Sequence, residues 1–202
     1  MGNIQPELIV HAAAYTNVGG VEQDRELCWN INVKGTRNVA AAANVVETKL
    51  LHVSTDYVFS GDEGNYREDD TPGPVVNYYS LTKLVAEEAA RSAASHLIVR
   101  TSFRPRQFQY PTAFSDVYTS QDYVDIIAPM IASVIQHAQD IEERVLHVAT
   151  ERKNVYELTR RRNPEVHEGK RAEANVVLPA DVSLNTDRFE ELHRSWKLSD
   201  RH

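Results

Sequence analysis

Three short apolar runs, each closing in small or hydroxyl residues, constrain the fold of this 202-residue chain more than any other feature. Leu8-Ile9-Val10-His11 runs into Ala12-Ala13-Ala14, Leu50-Leu51-His52-Val53 into Ser54-Thr55, and Leu97-Ile98-Val99-Arg100 into Thr101-Ser102-Phe103. Continuous apolar runs of this length read as strands covered on both faces, and helix-like stretches separate them. The pattern therefore predicts an α/β fold built on a parallel sheet. Glu22 to Val46 supplies the first helical stretch, with Leu27, Ile31, Val39 and Ala42 on its apolar face and Gly35 as a soft spot. Asn30 and Asn32 lie inside it, where Asn is a mediocre helix former; a cleft-lining role and a solvated or backbone-bonded one both stay open.

Open α/β sheets bind ligands at the carboxyl ends of their strands, so the residues closing the runs are where chemistry is expected. Ala12 and Ala13 would let a ligand approach the backbone, or serve only tight strand–helix packing. Ser54 and Thr55 can hydrogen-bond a substrate carbonyl or hydroxyl, or cap their own strand end. The second helical stretch, Tyr79 to Ala94, opens with Tyr79-Ser80-Leu81-Thr82-Lys83. Tyr79 and Lys83 are four apart and share a helical face. An ammonium beside a phenol favours the phenolate, so the pair suits proton transfer near neutral pH, and the strand-end hydroxyls make it a constellation.

Charge and composition bound the remaining choices. The net charge is −7 and the longest basic block is Arg160-Arg161-Arg162, which reads as a solvated helix end, so no nucleic-acid footprint is expected. Cys28 is the only cysteine, which excludes an internal disulfide and fits a reducing, cytoplasmic setting. No apolar run approaches the ~20 residues that span a bilayer, so no membrane association is expected. The acidic cluster Glu68-Asp69-Asp70 lacks calcium-loop spacing and reads as solvated surface. His147 alternates with apolar neighbours in Val145-Leu146-His147-Val148 and reads as a core or edge histidine; with no H-E-x-x-H pattern, no metal is expected. Arg104 to Tyr118, with Arg104, Arg106 and Tyr110, reads equally as a diphosphate- or base-contacting loop and as an irregular connection. Tyr123 to Gln136 and Asp187 to Trp196 read as helices, and Val155-Tyr156-Glu157-Leu158 begins a short one.

Taken together, His11-Ala12-Ala13-Ala14-Tyr15-Thr16-Asn17-Val18, Asn32-Val33-Lys34-Gly35-Thr36, Ser54-Thr55-Asp56-Tyr57-Val58-Phe59, Tyr66-Arg67-Glu68, Tyr79-Ser80-Leu81-Thr82-Lys83 and Arg100-Thr101-Ser102-Phe103 resemble the extended short-chain dehydrogenases/reductases, in order and in spacing. Within them the likeness is to the RmlD-like sugar-nucleotide reductases, close over residues 5–103 and looser to about 190. The resemblance implies an N-terminally truncated Rossmann-type sheet over 1–103, with a substrate-binding lobe over 104–202 that returns elements to the sheet. It implies NADPH or NADH as cofactor, a 4-keto-6-deoxy sugar nucleotide as substrate, and a reductive step served by Thr55, Tyr79 and Lys83. Thr55 would orient the carbonyl, Tyr79 protonate the alkoxide, and Lys83 hold the nicotinamide ribose and depress the phenol. Ala12, Ala13, Ser54, Lys83, Thr101 and Ser102 would lie along the cofactor, and Thr55, Tyr57, Phe103 and Arg104 along the substrate.

The sequence departs from that family at one place. A dinucleotide fold opens with a strand, a Gly-x-x-Gly-x-x-Gly turn and a helix that holds the pyrophosphate. Here Gly19-Gly20 follows the wrong element for that turn. Each missing charged hydrogen bond weakens cofactor binding by ~1.5–3 kcal/mol. Little reductase activity is therefore expected of this chain alone, an expectation that micromolar NADPH binding in a calorimetric titration would contradict. The other reading is a non-catalytic sugar-nucleotide-binding or regulatory module. Its exposed sheet edge would be covered by a partner or by a homo-oligomer.

Overall fold

The structure is a computed structural model that describes residues 4–199. Its central sheet has four parallel strands: β1 (Leu8–His11), β2 (Lys49–Thr55), β3 (His96–Thr101) and Val145–His147, in that order across the sheet. The helices are α1 (Arg25–Trp29), α2 (Gly35–Val45), α3 (Tyr78–Ala90), α4 (Val124–Gln136), α5 (Val155–Arg160) and α6 (Asp187–Ser199). Successive side chains on a strand point to opposite faces. Leu50 and Ile98 accordingly pack against Ala40 and Ala43 of α2 and Ala90 of α3. Leu51, Leu97 and Val99 pack on the other face, against Val134 of α4 and Phe189 and Trp196 of α6. The register sets Ser54 beside Arg100 and Thr55 beside Thr101, so the hydroxyl-bearing ends of β2 and β3 come out level.

The element boundaries differ from the sequence expectation where side chains compete for the backbone. The run Glu22–Val46 does not begin as helix: residues before Arg25 form turns, with Asn17 Oδ1 accepting from the Gly20 amide at 3.0 Å. Between α1 and α2 the helix widens into a π turn over Asn30–Lys34, where the Thr36 hydroxyl donates to the Asn32 carbonyl at 2.6 Å. Helix α3 starts at Tyr78, capped by Asn77 Oδ1 on the Ser80 amide at 2.9 Å. It ends at Ala90 rather than Ala94, because the Ala94 amide turns to Asn44 Oδ1 at 2.8 Å.

The Arg104–Tyr118 stretch is not simply irregular. Phe103–Arg104 pairs with Asp122–Tyr123, Thr112–Phe114 with His167–Gly169, and Tyr118–Thr119 with Lys153–Asn154. The acidic cluster also needs correcting: Asp69 and Asp70 are exposed, but Glu68 is buried and its Oε1 accepts from the His147 amide at 3.1 Å. His147 is fully buried, with Nδ1 3.2 Å from the Asn185 carbonyl, and burial and Arg100 push it down to about 3. The triple arginine is engaged residue by residue: Arg160 lies over Tyr156, Arg161 bonds Glu151, and Arg162 pairs with Asp125 while stacking on Tyr123. Among the described residues no helix is long and apolar enough to cross a membrane, and no group of three or more His, Cys, Asp or Glu residues is placed to hold a metal ion.

Candidate active site

The carboxyl ends of β1, β2 and β3 open into a cavity of about 470 Å³. Ala12, Ser54, Thr55, Tyr57, Tyr79, Lys83, Thr101, Ser102 and Phe103 all stand in its wall, together with Ala14, Asp56 and Gln121. Ala13 is exposed and outside the wall. Arg104 instead lines a second cavity of about 520 Å³, with Phe108, Tyr110 and Val117. Val18, Tyr57 and Gln121 belong to both walls, so the two cavities adjoin. Arg104 is fixed there by Gln121 Oε1 at 3.1 Å and Thr159 Oγ1 at 3.3 Å, with its guanidinium 5.0 Å from the Phe108 ring centroid.

Thr55 closes β2 and caps the 3₁₀ turn Asp56–Val58, its Oγ1 accepting from the Tyr57 amide at 3.2 Å. It also stands near enough to the Tyr79 phenol to favour its ionised form. That effect is outweighed. Burial, and then the Asp56 carboxylate, push Tyr79 well above the usual range of a phenol. The expected lowering of Tyr79 by Lys83 is therefore not what the structure shows. Lys83 is buried and spends its ammonium on the Val53 carbonyl at 2.8 Å, and burial lowers it to about 8. Helical spacing put the two residues on one face but could not reveal the dry surroundings that keep the phenol neutral. Tyr57 meets Tyr79 edge-on, ring centroids 6.3 Å apart, and is itself pushed up by burial.

Ser54 lines the cavity, but its hydroxyl donates to Glu87 Oε1 at 2.6 Å, so it is a structural tie as well as a wall residue. Thr101 is the converse case: it stands in the wall, but its Oγ1 is buried away from the cavity and has no hydrogen-bond partner among the described residues.

Three contributors were not assigned from sequence. Asp56 was quoted within its motif but given no role; a lone acid among apolar residues at a strand end was the available signal. Glu87 sits one turn beyond Lys83 in an alanine-rich stretch and anchors β2 and β3 to α3. Asn32, one of two open candidates, is the buried one: its Oδ1 accepts from the Tyr15 amide at 2.7 Å and its Nδ2 donates to Thr82 Oγ1 at 2.9 Å. It ties the loop after β1 to α3. Asn32→Ala leaves those buried partners unmet and is expected to lower stability by about 1–3 kcal/mol, read as a lower denaturation midpoint at unchanged slope.

Residues 1–181 match the family model described as the RmlD substrate binding domain. The dTDP-4-dehydrorhamnose reductase of Escherichia coli K12 is 42% identical over 103 residues, which is 50% of this chain and 34% of that protein. The chain thus spans about a third of the length of this curated relative. A crystal structure of a hypothetical dTDP-4-dehydrorhamnose reductase from Sulfolobus tokodaii is 30% identical, with a TM-score of 0.80 over 93% of this chain and 74% of that one. The dTDP-4-dehydrorhamnose reductase of Bacillus anthracis, solved in complex with NADP, is 26% identical with a TM-score of 0.80, covering 94% and 75%.

Proposed function

This chain belongs to the RmlD substrate binding domain family, and from that membership we propose that it is the nicotinamide- and sugar-facing part of a reductase acting on a 4-keto-6-deoxy sugar nucleotide. One observation carries the reading: Thr55, Tyr79 and Lys83 come from two different elements and meet in one cavity at the ends of the sheet strands. A reduced nicotinamide cofactor, when bound, supplies the hydride. The protein's own residues do the rest. Thr55 and Tyr79 hold the ketone oxygen, and Tyr79, kept neutral by its buried position, delivers the proton as the alkoxide develops. Lys83 stands beneath them as a donor for the nicotinamide ribose. The small Ala12 and Ala14 fit the same ligand end.

The adjoining cavity suits the nucleotide of the substrate. Its aromatic wall of Phe108, Tyr110 and Phe114 offers a base faces to stack on, and Arg104 offers a diphosphate a fixed cation. On this reading residues 1–103 carry the cofactor-facing wall, and 104–202 most of the substrate lobe and one strand of the sheet.

The test is oxidation of millimolar NADPH in the presence of dTDP-4-keto-6-deoxyglucose, followed by absorbance of the reduced cofactor. Tyr79→Phe is expected to lower the rate by about 10²–10⁴ while nucleotide-sugar binding is retained. Among the described residues the outer edge of β1 is unpaired, which favours a second reading, a non-catalytic binding module covered by a partner or a second copy. Nucleotide-sugar binding with no NADPH oxidation at any cofactor concentration would select it.

A further inference from the structure

Asp56 is the group in the cavity wall that the proposed chemistry leaves unused. It is 1% exposed. Thr55 Oγ1 donates to its Oδ1 at 3.0 Å, Thr119 Oγ1 donates to its Oδ2 at 3.3 Å, and Ser102 bonds it as well. These partners are hydroxyls, and the cations of this cavity and the adjoining one are turned elsewhere: Lys83 to the Val53 carbonyl, Arg104 to Gln121 and Thr159. The other titratable groups facing it are the phenols of Tyr57 and Tyr79, both held up by burial first and then by its charge. A carboxylate this buried is ordinarily paired with a cation. One that is not, at the wall of a cavity, calls for a functional account.

The hydrogen count at Thr55 supplies it. A threonine hydroxyl has one hydrogen and two lone pairs. The hydrogen goes to Asp56, and one lone pair takes the Tyr57 amide at 3.2 Å. Only a lone pair is left for Tyr79, so while Asp56 is ionised the phenol can engage Thr55 only as a donor. The chain Tyr79 to Thr55 to Asp56 then runs away from the cavity, and neither hydroxyl presents a hydrogen to a ketone.

We propose that Asp56 is a positioning residue and proton reservoir: with a proton on its carboxyl the chain reverses, so that Asp56 donates to Thr55, and Thr55 and Tyr79 turn their hydrogens toward the bound ligand. When Tyr79 gives its proton to a ligand oxygen, the phenolate takes the Thr55 hydrogen and Thr55 takes the Asp56 proton. The O–H bond of the carboxyl is lost, a ligand O–H is gained, and Asp56 ends as the carboxylate, to be recharged from solvent. This rests on the reading that Tyr79 protonates a bound carbonyl, but the Thr55–Asp56 link it turns on exists without ligand. Burial holds Asp56 up at about 6, so the reversal falls within a pH range in which the protein can be studied.

The test is therefore carried out on the whole chain without ligand, labelled with ¹³Cζ-tyrosine and titrated by NMR from pH 4.5 to 8. The expected result is a step in the Tyr79 resonance with a midpoint near the about 6 of Asp56, absent in Asp56→Asn. Thr55→Val should shrink the Tyr79 step to the part that the Asp56 charge causes through space, while the Tyr57 resonance, which has no link through the Thr55 hydroxyl to lose, keeps its own in full. A wild-type Tyr79 resonance flat across this range overturns the proposal with no variant needed. A full-sized Tyr79 step in Thr55→Val overturns it too, because the coupling is then a field effect and not a chain through Thr55. Absence of NADPH oxidation, by contrast, bears on the reductase reading alone.

Discussion

Glu87→Ala is expected to destabilise the protein by about 3–5 kcal/mol, the largest single-residue effect anticipated outside the apolar core. Glu87 and Arg100 are both buried, and the guanidinium meets the carboxylate twice, Nε to Oε1 at 3.0 Å and Nη2 to Oε2 at 2.9 Å. Ser54 makes a further bond to Oε1. Removing the carboxylate strands the arginine charge in the interior, with the Glu68 carbonyl, the neutral His147 and the Phe59 ring beside it but no counter-ion in the carboxylate's place. A buried cation without a counter-ion loses far more than the pair itself contributes. The double variant Glu87→Met/Arg100→Met, which leaves no charge behind, is expected to regain most of the loss. Chemical denaturation of the wild type, Glu87→Met, Arg100→Met and the double variant closes the cycle. Because the pair clamps α3 to β2 and β3 directly below Tyr79 and Lys83, Glu87→Ala should also loosen the cavity.

The second large effect has the opposite sign. Asp56 and Lys83 are buried without full compensation, so each lowers stability while it is charged. Asp56 lies at about 6 in the folded protein against an ordinary 3.8, so the folded state holds its proton more tightly and stability falls as pH rises between those values. The penalty is complete above about pH 6 and absent below 3.8. At about 1.4 kcal/mol per pH unit this interval amounts to about 3 kcal/mol. Asp56→Asn keeps the shape and removes the charge, and should be about 2–3 kcal/mol more stable at pH 8, with the advantage gone near pH 4. Lys83 lies at about 8 against an ordinary 10.5, so its penalty is complete below about pH 8 and lost above 10.5. Lys83→Met should therefore stabilise by a similar about 3 kcal/mol at pH 7, and less as pH rises. Denaturation midpoints at pH 4, 7 and 9.5 separate the two. Equal effects at all three would mean that packing, and not charge, is responsible. A site that stabilises when its charged groups are removed is holding them for another purpose.

Much of this architecture was readable from residues. Unbroken apolar runs such as Leu50-Leu51 report burial on both sheet faces, and the structure sends Leu50 to α2 and α3 and Leu51 to α4 and α6. The strand-end hydroxyls and the Tyr79/Lys83 spacing located the cavity, because strand ends and helical faces are local geometry. What stayed hidden depends on contacts distant in sequence. Glu68 sits among exposed acids, yet it is drawn in by an amide 79 positions away. Lys83 was expected to lower Tyr79, but only the fold shows that its ammonium is taken by Val53 and that burial governs the phenol. Arg104 was placed with the substrate by resemblance, and it is the pairing of Phe103–Arg104 with Asp122–Tyr123 that carries it into the second cavity.

The account stands or falls on whether Thr55 and Tyr79 act together on one carbonyl. Binding dTDP-4-keto-6-deoxyglucose labelled with ¹³C at the ketone and recording that carbon's resonance asks this directly, without requiring turnover. Two donors on the oxygen should move the bound ketone downfield of its position in water, and Thr55→Val and Tyr79→Phe should each take back part of that displacement. A bound ketone resonating as it does in water, or one displaced as far in both variants as in the wild type, would contradict it.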